Sequence, residues 1–206
     1  MTIEARLTFA TQLIREAGQL AARHFAHREA LTRETKGPQD FVSIADREVE
    51  SLIRTRLAEA FPTDGFLARR AEEGSSAGSS IRLTAQTIFC GASIAYTIAG
   101  EPVIGLIHLP CVSRLYSAAR AGGAWCNGMP MHASRVGDPA QATIAVGISR
   151  RTSPDLSLPV VEMALRTGSA LRCMGSCVVA LAMVAQGSVD AYYEAHVQPW
   201  DAWPAF

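Results

Sequence analysis

The 206-residue sequence predicts an α+β half followed by a smaller α/β half. Three observations predict it. Residues 3–26 and 43–61 carry apolar side chains at the helical period. From Thr87 the period shortens to that of strands, joined by short connections that favour an antiparallel-rich sheet with the helices on one face. Past Gly137-Asp138-Pro139, short strands alternate with helical stretches. Residues 1–138 therefore form the first half, a helix pair plus antiparallel sheet, and residues 139–206 the second.

The first helix turns Leu7, Ala10, Leu13, Ile14, Ala17, Leu20, Ala21 and Phe25 to one side and leaves Arg6, Gln12, Arg15 and Glu16 for water. Pro38 lacks an N–H and biases Gly37 toward extended backbone, so helix is not expected across residues 36–40. Ser43 is a good N-cap, and Asp46 three residues on completes a capping box with Asp in the usual Glu position. Taken alone, Asp46 complements the helix dipole, worth a few tenths to about 1 kcal/mol. The second helix buries Ala45, Val49, Leu52, Ile53, Leu57 and Ala60, and Phe61-Pro62 ends it. Thr63-Asp64-Gly65 is a turn, Phe66-Leu67-Ala68 a short strand, and Gly74 through Ser80 a flexible loop by composition. That loop lacks the Lys-Ser/Thr ending of a phosphate-cradling P-loop.

Strands are expected at Thr87–Ile98, Pro102–Leu109, Leu115–Arg120 and Met129–Ala133, with a turn at Asn127-Gly128. The second half reads as strand Thr143–Ile148, helix Leu158–Arg166, strand Leu171–Met174, helix Ser176–Gln186 with Gly187 as its stop, and strand Val189–Glu194. Gly175-Ser176-Cys177 falls at a strand-to-helix junction. Exposed N–H groups there suit an anion or a sugar hydroxyl, and an ordinary Ser N-cap explains the same residues.

Apolar content of 49% with 18% charged residues is enough for a sizeable core. Nineteen basic residues balance nineteen acidic ones, which gives no field for nucleic acid or an anionic membrane. The apolar run at residues 102–110 is too short to span a bilayer. Thr2, Glu4 and Arg6 do not suit a secretory signal. Cys173 and Cys177 lack a second pair for zinc, and five cysteines in all favour a reduced, cytoplasmic compartment. Asp40, Asp46, Glu72, Glu73, Glu194 and Asp201 sit at ends of elements without a His- or Cys-rich cluster. That donor set suits a hard cation, Mg²⁺ foremost, although scattered acids also decorate any surface. His108, His132 and His196 stand singly as structural histidines. Trp125 and Trp200 read as packing, and Tyr192-Tyr193 as strand packing that aims Glu194.

Several stretches carry a resemblance. Lys36 through Asp46, Phe61 through Leu67, Glu72-Glu73-Gly74, Gly122 through Gly128, Gly175-Ser176-Cys177, Val189 through Glu194 and Trp200-Asp201 resemble, in order, the inositol monophosphatase family of Mg²⁺-dependent, lithium-sensitive sugar phosphatases. The resemblance implies a layered α-β-α-β-α sugar-phosphatase fold, with metals on the first half and substrate on the second. It implies metal ligands at Glu72 and Asp201, an Asp46 that orients and activates the attacking water, and a Lys36 near the phosphate. It places Gly175, Ser176, Cys177 and Glu194 against substrate hydroxyls. The implied reaction is Mg²⁺-dependent hydrolysis of a small phosphorylated polyol or sugar, inositol monophosphate first, in a cytoplasmic homodimer. Histidinol phosphate, fructose bisphosphate and 3′-phosphoadenosine nucleotides are the alternative substrates, and a non-catalytic binding protein is the alternative function.

The chain departs from that family in three places, one of them Arg69-Arg70-Ala71, which intrudes where the family passes directly from the apolar pair to Gly-Glu-Glu. The Asp-Pro-x-Asp-Gly-Thr motif belongs between Ser80 and Phe89, where Ile81 through Ile88 carries no acid. After Asp201-Ala202 come only Trp203 through Phe206, where the family continues with a helix and further strands. Either the chain is a disabled relative or the protein carries further sequence at these places. The second is expected, and an intact mass of 22.0 kDa excludes it.

Overall fold

The computed structural model describes residues 2–27, 33–35, 41–68, 78–86, 89–149 and 151–206. Helix α1 spans Ile3–Ala26, capped by Thr2, whose hydroxyl accepts the Ala5 N–H at 3.3 Å. Strands β1 (Arg33–Thr35) and β2 (Phe41–Ser43) pair antiparallel and lead into α2, Ile44–Ala60. The Ser43 side chain, and with it the expected capping box, lies outside the described residues.

Seven strands then line up in sequence order: β3 (Gly65–Ala68), β4 (Gly78–Gln86), β5 (Phe89–Ile98), β6 (Glu101–Leu109), β7 (Arg114–Ala119), β8 (Gly123–Cys126) and β9 (Met129–Pro130). Only β3 and β4 run parallel; the remaining pairs are antiparallel. Two expectations are corrected and one strand is added. Gly78-Ser79-Ser80 belongs to a strand, because β3 pairs with all three residues and β5 joins from Ser80 on, which overrides weak strand propensity. Gly123–Cys126 is a strand that composition hid behind its glycines. Met129–Ala133 shrinks to β9, where Pro130 has no N–H to extend a ladder.

The second sheet has three strands in the order β11-β10-β12, all parallel: β10 is Thr143–Gly147, β11 Ala170–Arg172 and β12 Ala191–Glu194. Helix α3 (Leu158–Thr167) lies between β10 and β11, and α4 (Cys177–Ala185) between β11 and β12. A short α5, Pro199–Ala202, follows. Alternation along the strands explains the layering. Ile104 and Leu106 pack with Ala92 and Ile94 against Leu13, Ile14 and Ala17 of α1 and Val49 and Ile53 of α2. Ile107 and Leu109 face the other way, onto Val178 and Val179 of α4. Ala180 of α4 meets Ala145 of β10, and Ile144 and Val146 turn to Ala164 of α3. The order is helix pair, large sheet, α4, small sheet, α3, as the resemblance implies. Apolar all round, α4 fits its place between two sheets. No helix among the described residues is long and apolar enough to cross a membrane.

Two polar features run through this core. Arg6, expected in water, is instead half-buried: Nε and Nη2 donate to the two Asp64 oxygens at 3.1 Å each. Its guanidinium also lies 5.1 Å from the Phe61 ring centre and 5.0 Å from that of Tyr96. His108 on β6 directs Nδ1 to the Ile14 carbonyl at 3.2 Å, so the ring carries its proton there. Gly18 makes room for it; a Cβ at that position would lie 2.8 Å from His108 Cε1.

Burial, with Arg15 acting in the same sense, holds the His108 pKa below the ordinary 6.5. The folded state thus binds fewer protons than the unfolded one. Its stability is full above pH 6.5 and is lost as pH falls through the lower folded value. Chemical denaturation between pH 8 and 5 is expected to show this loss, and a His108→Gln variant a shallower one. Equal slopes would contradict it.

Candidate functional site

Parallel strands β10 and β12 end side by side, with Gly147 opposite Glu194. The N-terminus of α4 opens beside them, and ligands of such sheets gather beyond the carboxyl ends of the strands. The register is fixed at the other end by Asp190. Its carboxylate accepts the Thr143 N–H at 2.6 Å, while its own N–H donates to the Thr143 carbonyl at 2.9 Å. A bond from Ser134, with that of Thr143, holds the Asp190 carboxyl below its usual range.

Gly175 takes φ of 72°, a conformation natural to glycine, and turns the chain into the N-cap of α4. The N-cap residue is Ser176, but its hydroxyl makes no capping bond. The residue is 8% exposed, and Oγ is buried with no hydrogen-bond partner. The ordinary capping explanation therefore does not describe this side chain. A buried hydroxyl left unbonded costs about 1–3 kcal/mol, which a ligand group could offset.

Cys177, the first residue of α4, points its thiol at the Asp201 carbonyl, 3.8 Å away. Asp201 lies in α5 and is 8% exposed, the one buried acid among the described residues. Tyr192 stands two residues before Glu194 on the same face of β12 and donates its hydroxyl to Glu194 Oε2. Burial, Cys177 and Glu194 all raise the Tyr192 pKa, so the phenol keeps its proton and stays a donor. Gly175, Ser176, Cys177, Glu194 and Asp201 are thus drawn together through α4, Tyr192 and α5.

Asp46 occupies the first turn of α2, half-buried. Helices α2 and α5 both pack on β4, which associates the elements carrying Asp46 and Asp201. Lys36 and Glu72 lie outside the described residues. Among the described residues, no group of three or more His, Cys, Asp or Glu side chains converges as a metal site would. Asp201 offers a buried carboxylate for a hard cation, and the rest of a full oxygen shell is not supplied by the described side chains. Cys126, Cys173 and Cys177 are free thiols, whereas Cys111 is disulfide-bonded. The cysteines therefore give no support to the reduced state expected from sequence.

Sequence reasoning missed Gly147 and the Tyr192 hydroxyl. The available signal was a glycine at the carboxyl end of a parallel strand, where close approach is common.

Comparison with known proteins follows the same elements. The profile of the inositol monophosphatase family matches residues 3–90 and 84–205. An inositol-1-monophosphatase of Rhizobium meliloti is 32% identical over 214 residues, covering 98% of this chain and 80% of its own. Inositol monophosphatase 2 of Mus musculus is 30% identical, covering 93% and 72%. The crystal structure of the extragenic suppressor protein suhB from Bartonella henselae superposes with a TM-score of 0.89 at 28% identity, over 98% of this chain and 82% of that one. With fold and sequence similar over nearly its whole length, this chain belongs to the inositol monophosphatase family.

Proposed function

We propose that the chain is a Mg²⁺-dependent phosphomonoesterase whose preferred substrate is inositol monophosphate. The observation that carries this reading is the buried, unbonded Ser176 hydroxyl at the N-cap of α4. It suits a polyol hydroxyl better than it suits helix capping. Ser176 and the N–H groups around Gly175 and Cys177 hold the substrate's hydroxyls, with Glu194 as an acceptor. Asp46 orients the attacking water and takes its proton, and Lys36 neutralises charge on the phosphate. Glu72 and Asp201 hold Mg²⁺, which when bound activates water and offsets charge at phosphorus. Phosphoryl transfer needs little beyond such positioning and charge, so no side-chain nucleophile is invoked. The protein acts in the cytoplasm as a homodimer, a state favoured by exposed Leu158 and Leu165 on α3.

One observation favours a second reading, a family member that binds without turnover. Ile81 through Gln86 is a paired strand without an acid where the family's central motif belongs. Phosphate release in Mg²⁺ from inositol monophosphate, histidinol phosphate, fructose bisphosphate and 3′-phosphoadenosine nucleotide separates the two. The highest kcat/KM is expected for inositol monophosphate. No turnover on any of the four substrates overturns the enzyme reading.

A further inference from the structure

We propose that Tyr192 and Gly147 act together as positioning residues, setting the Glu194 carboxylate so that Oε1 alone is presented to a substrate hydroxyl. This rests on the reading of Glu194 as a substrate contact. Tyr192 and Glu194 share one face of β12, and the phenol donates to Oε2. That bond commits one carboxylate oxygen to the protein and fixes the rotation of the other.

Gly147 stands opposite Glu194 in the parallel pair with β10. A Cβ at Gly147 would lie 2.5 Å from the Tyr192 hydroxyl oxygen and 2.7 Å from both Cδ and Oε2 of Glu194. Real side chains do not approach so closely, so the pair keeps its geometry only while residue 147 is glycine. The φ of Gly147 does not require glycine, since Gly147 is absent from the positive-φ residues. A side chain at residue 147 would thus push the Tyr192 hydroxyl and the Glu194 carboxylate out of this arrangement.

A carboxylate anchored on one oxygen accepts hydrogen bonds and offers none. The site accordingly favours phosphate esters of polyols, whose free hydroxyls can donate to Oε1, over esters of phenols or simple alkyl groups. Tyr192 acts on selectivity and binding, and the chemistry at phosphorus lies elsewhere.

The test uses the full chain and the Tyr192→Phe variant, which keeps the ring and removes the donor. The readouts are KM and kcat for myo-inositol 1-phosphate and for p-nitrophenyl phosphate, with calorimetric binding of myo-inositol 1-phosphate alongside. KM for the polyol ester is expected to rise about five- to tenfold with kcat within about twofold, the scale of one ordinary hydrogen bond's net contribution. The ratio of kcat/KM between the two substrates falls by a similar factor. Adding Tyr192→Phe to Glu194→Ala is expected to cost nothing further, because the tyrosine acts through the carboxylate. Gly147→Ala, checked for folding by its melting transition, repeats the loss of polyol selectivity. Equal losses on both substrates, or additive effects in the double variant, overturn the inference. If the wild-type protein binds the polyol ester without hydrolysing it, the enzyme reading fails and the calorimetric ratio of wild type to Tyr192→Phe still decides this one. If the wild type neither binds nor hydrolyses it, the inference falls as well.

Discussion

Replacing Asp201 by asparagine is expected to lower kcat/KM for inositol monophosphate by about 10²–10³-fold, the scale seen when one preorganised electrostatic group is lost. The substitution keeps shape and removes charge. Asp201 is 8% exposed in a four-residue helix whose backbone is engaged by Cys177 and by the 2.9 Å bond from its N–H to the Gln198 carbonyl. Those backbone contacts survive the change. Because shape and backbone contacts are kept, the melting temperature is expected to change by no more than a few degrees, about 1 kcal/mol or less, while activity collapses. Paired measurement of thermal unfolding and phosphate release checks this. A variant with lower stability and unchanged activity would make Asp201 a structural acid.

Replacing Arg6 by methionine is expected to destabilise the fold by about 1–3 kcal/mol, between an exposed ion pair and a fully buried one. Two parallel bonds to Asp64 and two aromatic faces hold the guanidinium, and Asp64 would be left without its partner in a largely enclosed place. Lysine keeps the charge but cannot reproduce the fork, so Arg6→Lys falls between. Urea denaturation gives the difference. The pair ties the start of α1 to the turn between α2 and β3, the turn that feeds the segment bearing Glu72. A loss of less than about 1 kcal/mol would place Arg6 with ordinary surface pairs.

Helices α1 and α2 were legible because each turns one apolar stripe to one sheet, and the stripe fixes the period. Helix α4 was legible as buried because it lacks a polar face altogether. Arg6 was not, since its place on the helix wheel looks solvent-facing until Asp64, Phe61 and Tyr96 close over it. Nor was β4: Gly78-Ser79-Ser80 has little strand preference, and pairing with β3, joined by β5 from Ser80 on, decides its conformation. The site shows the same division. The Gly175-Ser176-Cys177 junction could be read from sequence. Whether the Ser176 hydroxyl caps its helix or turns into the site depends on packing that no local pattern encodes. Gly147 and Tyr192 lie far apart in sequence, and only the parallel register of β10 and β12 reveals that one makes room for the other.

The most direct test of the account is phosphate release from inositol monophosphate by protein stripped with a chelator and then titrated with Mg²⁺. No turnover is expected in the stripped protein, full recovery with Mg²⁺, and inhibition by added Li⁺. Turnover that is indifferent to chelator and Mg²⁺, or none at any Mg²⁺ concentration, would contradict the account.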